Sequence, residues 1–396
     1  FFRSGEDTVN IAMHSAESVI SYAMLAIEVI LALVVIFLGI KHKKYLASVL
    51  AAIQAPFTVW FELTKAHHIE VENNVSIDRL SIIMILIVGI VGSLITVYAL
   101  GYMKDFQHHQ GGPDRRPLFF FLMFTFLSAM FGLVVSNNLL STYTDSGRQT
   151  GIGEKRTEEA VNNSFRQLVL NLIGGLSFLT GIIVLGSFYG TIELSTLVTL
   201  GVQGYGALMV VPTMFLALAG LTKAAQMPFH SWLLGAMVAP TPTSALLHSS
   251  TMVKAGVFLI LKLAPCLGFN MAGIMVMLIG GITFLLASFA AISQSNGKRV
   301  LAYSTIANLG LIVICGGVGA TGAVWAGIML LIFHAITKSL MFLCVGTAEH
   351  QIGSRDIEDM DGLFGRLPRL ASFMMIGIAG MFLSPLGMLI SKWAAM

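Results

Sequence analysis

The chain alternates long apolar runs with short polar ones, and the runs have the length of membrane crossings. A helix rising 1.5 Å per residue needs about 20 apolar residues to cross a hydrocarbon core of about 30 Å. Runs of this kind are predicted near residues 19–40, 45–63, 80–102, 118–135, 165–189, 208–226, 243–263, 271–292, 300–318, 323–345 and 370–392, roughly eleven spans by that length criterion. The pattern therefore predicts an all-α fold, a polytopic transmembrane helix bundle. Glycine pairs inside the spans, Gly174-Gly175 and Gly280-Gly281, point to close helix contacts. Pro56 predicts a kink in the second span.

The pattern fails at residues 141–159, STYTDSGRQTGIGEKRTEE, which have almost no apolar content. No hydrocarbon-spanning element can be built from them. Loss of a span there is expected to invert everything that follows. Two shorter polar stretches read as loops. Residues 64–79 contain His67-His68, an adjacent pair without zinc-ligand spacing that is expected to be solvated. Residues 104–116 contain the turn Gly111-Gly112-Pro113.

Composition sharpens this picture. Of 396 residues, 56% are hydrophobic and 11% charged, against about 25% charged in soluble domains. The net charge of +3 comes without a basic stripe, which argues against nucleic acid as a partner. Cys266, Cys315 and Cys344 are scattered through apolar runs without ligand spacing, so no disulfide framework, metal site or iron–sulfur centre is expected. There is no phosphate-cradling glycine loop between strand and helix, and no nucleophile–base pair, so a free-standing enzyme fits poorly. Residues 1–15 lack the apolar core of a signal peptide. Phe1-Phe2-Arg3 and the end at Met396, just past Trp393, read as cuts.

The informative residues are the charges stranded in apolar runs. A charge near the bilayer centre costs roughly 3 kcal/mol on insertion scales, and such residues face a protein interior or a water path. Lys223 lies in one run, with Pro228 removing a backbone donor just beyond it. His248 and Lys254 lie in the next run, and His334 and Lys338 share one face of a later span at i and i+4. Two neighbouring cations repel, so at least one member of the His334/Lys338 pair is expected to be neutral. The bland alternative is a pair bonded to backbone carbonyls. Near the end, Ser384-Pro385-Leu386-Gly387 breaks another run before Lys392, although Lys392 also fits a snorkelling lysine at a helix end. Two proline-broken spans, each with a lysine, hint at a duplicated architecture. Lys223, His248, Lys254, His334, Lys338 and Lys392 would together form a mid-membrane row suited to proton hopping through waters. His230, in the turn after Pro228, either gates that row or caps a helix. For Glu28, in the first span, a packing role and a functional one are equally open.

The stretch LTKAAQMPFHSWLLGAMVAPTPTSALLHSSTMVKAG closely resembles the proton-conducting antiporter-like subunits: subunit L (chain 5) of respiratory complex I, the large Mrp antiporter subunit, and relatives in membrane-bound hydrogenases. KRVLAYSTIANLGLI, FHAITKSLMFLCVG, RDIEDMDGL and SPLGMLISKWAA extend the resemblance, as do SNNLL and RTEEAVNNSF upstream. It runs from about residue 78 onward. It implies two inverted five-helix repeats, each with a broken helix, and a lysine at position 223 that exchanges protons with a glutamate on another helix. It also implies that the subunit holds no cofactor and that redox chemistry sits in partners. The sequence departs where that glutamate-bearing helix should follow SNNLL, which points to an altered or cut copy and puts the Lys223 ion pair in doubt.

These readings divide the chain into N-terminal helices (1–117), a first repeat lacking one helix (118–265) and a truncated second repeat (266–396). The function implied first is a proton-translocating subunit of a redox-driven complex, of NADH:quinone oxidoreductase or membrane-bound hydrogenase type. A cation/proton antiporter subunit of Mrp type is the alternative, and a non-conducting scaffold a third. Expected partners are other membrane subunits of a respiratory or hydrogenase complex and the lipid bilayer; the expected site is a bacterial cytoplasmic membrane.

Overall fold

The computed structural model describes residues 8–11, 17–65, 69, 71–110, 114–139, 158–203, 206–382 and 388–395. In chain order the elements are β1 (Thr8–Ile11), α1 (Glu17–Lys41), α2 (Tyr45–Thr64), β2 (Val75–Asp78) and α3 (Arg79–Leu86), which passes through a π-helical turn (Ile87–Val91) into α4 (Gly92–Gln110). Then follow α5 (Arg116–Val135), α6 (Glu158–Tyr189), α7 (Leu194–Val202), α8 (Gly206–Lys223), α9 (Ser231–Gly235), α10 (Thr241–Ser249) and α11 (Met252–Leu263). The last are α12 (Met271–Ile292), α13 (Gly297–Val318), α14 (Thr321–Ile352), α15 (Leu363–Arg366), α16 (Pro368–Phe382) and α17 (Met388–Ala395). Among the described residues, eight helices are long and apolar enough to cross a membrane. Among the described residues the bundle is all-α apart from one strand pair: β1 and β2, with α1 and α2 between them in sequence, run antiparallel, Thr8 opposite Asp78. That pair was not foreseen, because four-residue strands carry too short a pattern to separate from loop.

Helix faces separate by partner. On α12, Leu278, Ile282, Leu285 and Phe289 recur at helical spacing and are exposed, as lipid-facing residues should be. The opposite face packs on α13, where Gly280 and Gly310 meet. A Cβ on either would come within 2.8 Å and 2.7 Å of the other's carbonyl oxygen. Such contact needs the small residues that membrane interfaces favour.

The span expected at 243–263 is present as one crossing, 241–266, but it is interrupted: α10 ends at Ser249, and α11 restarts at Met252 after Thr251, whose φ of −124° and ψ of −98° leave the helical region. The freed groups are satisfied locally, since Ser250 N–H and Thr251 N–H both donate to Leu246 O. One prediction is corrected: the later helices are not inverted. Leu139 N–H bonds Ile192 O at the C-terminal end of α6, whereas Glu158 opens α6 at its other end. With 32 residues, α6 is about 48 Å long, and 18 residues reach at most about 60 Å. Leu139 and Glu158 therefore stand at opposite ends of α6, and the helices from α6 onward keep the direction that a full span between them would have given. The segment expected to replace a helix at 141–155, the break at 384–387, His67-His68 and Gly111-Gly112-Pro113 lie wholly or mainly outside the described residues.

A buried lysine–histidine row as candidate functional site

The helix carrying Lys223 stops because the chain turns back on itself. Ala225 takes a left-handed φ of +52°, uncommon for a residue with a side chain. Gln226 N–H then reaches Leu221 O (3.0 Å), and the Gln226 side-chain amide donates to Ala224 O (2.9 Å). Trp232 Nε1–H donates to Thr222 O (3.1 Å) from the far side of the turn. A helix end buried at this depth needs such partners for its last carbonyls, so the sequence after Lys223 serves as the cap of α8. His230 occupies the N-cap position of α9 without a side-chain capping bond, and its ring packs 6.4 Å from that of Tyr303. Of the two roles open to it, capping by a side-chain bond to α9 is not made.

Lys223 is 8% exposed and forms part of the wall of a cavity of about 50 Å³. A water needs about 10–15 Å³ measured this way, so the space admits water. Ser136, Asn171 and Thr222 supply polar lining, and Ala255 and Gly256 of α11 close one side. Gly256 lets α11 approach: a Cβ there would stand 2.4 Å from Ala224 N and 2.9 Å from Lys223 C.

Two residues before Gly256 on α11 comes Lys254. Lys254 and His334 are both fully buried, and Lys254 Nζ lies 2.7 Å from His334 Nδ1. Lys254 Nζ also approaches Leu331 O at 3.5 Å. His334 and Lys338 follow on one face of α14, and Lys338 Nζ donates to Leu301 O (3.2 Å) and to Ser304 Oγ. Ser304 shares with Asn308 and the half-buried Lys392 a groove of about 1010 Å³ between α13, α14, α16 and α17. Thr337 Oγ1–H bonds Met388 Sδ (3.6 Å), fixing the start of α17 against α14. His248 is fully buried too, but its ring stacks on Phe342 with centroids 4.6 Å apart, and neither ring nitrogen bonds another described residue. The structure thus bonds Lys254 to His334, places Lys338 one turn further along the same face of α14, sets Lys223 and Lys392 beside spaces that admit water, and keeps His248 near enough to His334 and Lys338 to interact with their charge. An amine beside an imidazole, both in a dry interior, can pass a proton without separating charge over distance.

Sequence reasoning missed Ser304, a lone serine on an apolar face. It also missed three acid–base contacts. Lys298 Nζ lies 2.5 Å from Glu349 Oε2, and Arg355 Nε 2.5 Å from Glu349 Oε1. Lys262 Nζ lies 2.7 Å from Asp78 Oδ2 at the opposite end of the bundle. Burial acts to raise Asp78, but the Lys262 ammonium and the Ser81 N–H outweigh it and hold the carboxyl below its ordinary 3.8. On the surface, the Arg116 guanidinium and N–H hold Asp114 at about 2. Among the described residues, no three His, Cys, Asp or Glu side chains converge to hold a metal ion.

Comparison with known proteins places this geometry. Residues 152–396 match the family model of the NADH:quinone oxidoreductase/Mrp antiporter transmembrane region, and residues 60–111 match that of the N-terminus of chain 5 of complex I. The chain is 34% identical over 83% of its length to a protein named as antiporter subunit mnhA2 in Staphylococcus haemolyticus, covering 43% of that protein. It is 36% identical over 75% of its length to a Rhizobium meliloti protein named as a probable K(+)/H(+) antiporter component, covering 30% of it. The chain thus spans less than half the length of these curated relatives. The solved Mrp complex from Dietzia sp. DQ12-45-1b contains a chain similar over 95% of this one and 43% of its own length, with a TM-score of 0.74 and 28% identity. The membrane-bound sulfane sulfur reductase, an archaeal respiratory complex, shares the fold, with a TM-score of 0.71 at 21% identity over 95% of this chain and 81% of that one.

Proposed function

Because the chain belongs to the NADH:quinone oxidoreductase/Mrp antiporter transmembrane family, we propose that it is the large antiporter-like subunit of a cation/proton antiporter complex of Mrp type. This replaces the redox-driven complex as first choice. The two relatives compared, both above 30% identity, bear antiporter names, and the Mrp complex is the nearer in sequence of the two structures compared. The observation that carries the mechanism is the buried contact of Lys254 with His334, one helix turn from Lys338. Lys223, Lys254, His334, Lys338 and Lys392 would pass protons along the membrane plane between the Lys223 cavity and the Lys392 groove. The hydroxyl of Ser304 extends the line beyond Lys338. Partners are other membrane subunits of the same complex. Basic residues gather at one end of the bundle: Lys43 and Lys44 before α2, Arg115 before α5, Arg299 on α13 and Arg355 after α14. We assign that end to the cytoplasm by the positive-inside rule.

The test uses inverted membrane vesicles carrying the complex, with an imposed pH gradient and no electron donor. Sodium or potassium should dissipate the gradient, and Lys254→Ala should abolish that response. Proton movement seen solely with an electron donor would restore the redox-driven reading, and no movement under either condition would leave a scaffold.

A further inference from the structure

The Lys223 cavity has an inner and an outer end. Thr222 and Lys223 line it within the bundle, and Ser136 lines it where α5 stops. There Ser136 bridges to Val75 of β2. Since α5 starts at the end assigned to the cytoplasm, Ser136 lies toward the opposite face. The wall on the way is apolar. Leu133 of α5, Leu194 of α7, and Phe258 and Leu259 of α11 all contribute, and none is more than 8% exposed. Apolar constrictions of this kind can gate a water path by dewetting.

Phe258 is also tied to a charge. Lys254, Phe258 and Lys262 follow at i, i+4 and i+8 and share one face of α11. Lys262 Nζ lies 5.4 Å from the centroid of the Phe258 ring, inside the reach of about 6 Å for a cation–π contact. The same ammonium stands 2.7 Å from Asp78 Oδ2. Asp78 is itself fixed, because it caps α3 by accepting from Ser81 N–H (2.8 Å). Ser81 Oγ–H in turn donates to Val134 O (3.1 Å), next to the cavity residue Leu133. The Lys262 and Asp78 side chains are 14% and 29% exposed. From inside outward the order is therefore water space, aromatic ring, ammonium and carboxylate.

We propose that Phe258, pinned by the Lys262–Asp78 pair, is the outer gate of the Lys223 cavity and is closed in this structure. The proposal rests on the reading of Lys223 as one end of a proton path, and it adds where that end meets the medium. Lys262 and Asp78 act as positioning residues. Asp78 stays with α3 as the anchor, and the ammonium moves on its flexible stem. While Lys262 bridges carboxylate and ring, the ring blocks a continuous file of water. When Lys262 swings away, Phe258 is free to turn, and water can link Ser136 with Lys223.

The experiment has two arms. In right-side-out vesicles holding the full complex and a pH-sensitive dye, without the exchanged cation, the dye reads proton leak alone. Phe258→Ala should raise that leak at least tenfold, and Phe258→Leu much less. Lys262→Met should raise it several-fold, and Lys262→Arg should stay near wild type. In the second arm, Ala219→Cys places a thiol on the cavity wall. A small membrane-impermeant thiol reagent added outside should react with it at least tenfold faster when Phe258→Ala or Lys262→Met is also present. If Phe258→Ala does not assemble, Lys262→Met carries both readouts. Leak and thiol reactivity at the wild-type level in these variants would overturn the gate. Lower melting of Lys262→Met without added leak or reactivity would make the pair a structural clip and overturn its part in the proposal. A wild-type complex without cation-driven flux would count against transport itself, and the thiol arm would still decide whether Phe258 closes the cavity.

Discussion

Gly256 is the position at which one added carbon should do most harm. An alanine Cβ there would lie 2.4 Å from Ala224 N, 2.5 Å from Gly220 O and 2.9 Å from Lys223 C, all backbone atoms. Ordinary contact begins at 3.4 Å, so α11 and α8 must part by 3.4 − 2.4 = 1.0 Å. The α8 side cannot yield cheaply, because Ala224 N–H is bonded to Gly220 O (2.8 Å) in the last turn before the break. Overpacking of this kind costs about 1–3 kcal/mol, and the rigid neighbours put Gly256→Ala near the upper figure. If α11 gives way instead, Lys254 moves with it, and its 2.7 Å contact with His334 can stretch toward 3.7 Å, beyond hydrogen-bond range. Thermal melts of the purified complex and dye-monitored proton flux read both effects. Gly256→Ala should melt several degrees lower and lose most of its flux. Gly101→Ala is the matched control: nothing lies within 4 Å of its Cβ position, and alanine gains about 1 kcal/mol over glycine in a helix. If Gly256→Ala melted and conducted like Gly101→Ala, the reasoning from helix approach would be wrong.

Further expectations follow from other contacts. His334→Ala leaves the buried Lys254 amine with the 3.5 Å contact to Leu331 O, costing about 1–3 kcal/mol of stability and on the order of 100-fold in flux; His334→Gln should restore the stability and not the flux. Ser304→Ala removes a partner of Lys338 and should slow flux toward the Lys392 side about tenfold with little change in melting; unchanged flux would remove Ser304 from the path. Asp78 is held below its ordinary 3.8 in the fold, so its pairing with Lys262 stabilises above that pH and is lost as pH falls through the folded value. Melts taken from pH 6 downward should show Asp78→Asn losing about 1 kcal/mol less than wild type over that acid window. Cysteines placed at Arg115 and Glu158, both exposed at the starts of α5 and α6, should react with a membrane-impermeant maleimide from the same side; labelling from opposite sides would restore the inverted topology.

Hydropathy and charge by themselves located the spans and the residues that pay for being inside them. The reason is solvation: a run of about 20 apolar residues has one low-energy place, and a lysine within it must turn inward or find water. The end of α8 was legible for a similar local reason, since Pro228 and the apolar run around Lys223 are adjacent in sequence. The break between α10 and α11 was not, because Ser250 and Thr251 are no helix breakers by type and leave the helix only where neighbours bury them completely. The effect of residues 140–157 was misjudged, because hydropathy counts crossings and does not record at which end of α6 the chain re-enters.

Which buried cation meets which partner was decided by tertiary structure alone. Lys254 and His334 are 80 positions apart, and their contact depends on how closely α11, α13 and α14 approach. That distance is set at glycine faces such as Gly256 against α8 and Gly280 against Gly310, whose partners no periodicity names. The same packing set the ring of His248 against Phe342 and the hydroxyl of Ser304 against Lys338. Sequence fixes the depth of a side chain through its own solvation energy; its neighbour at that depth is chosen by the steric fit of whole helices.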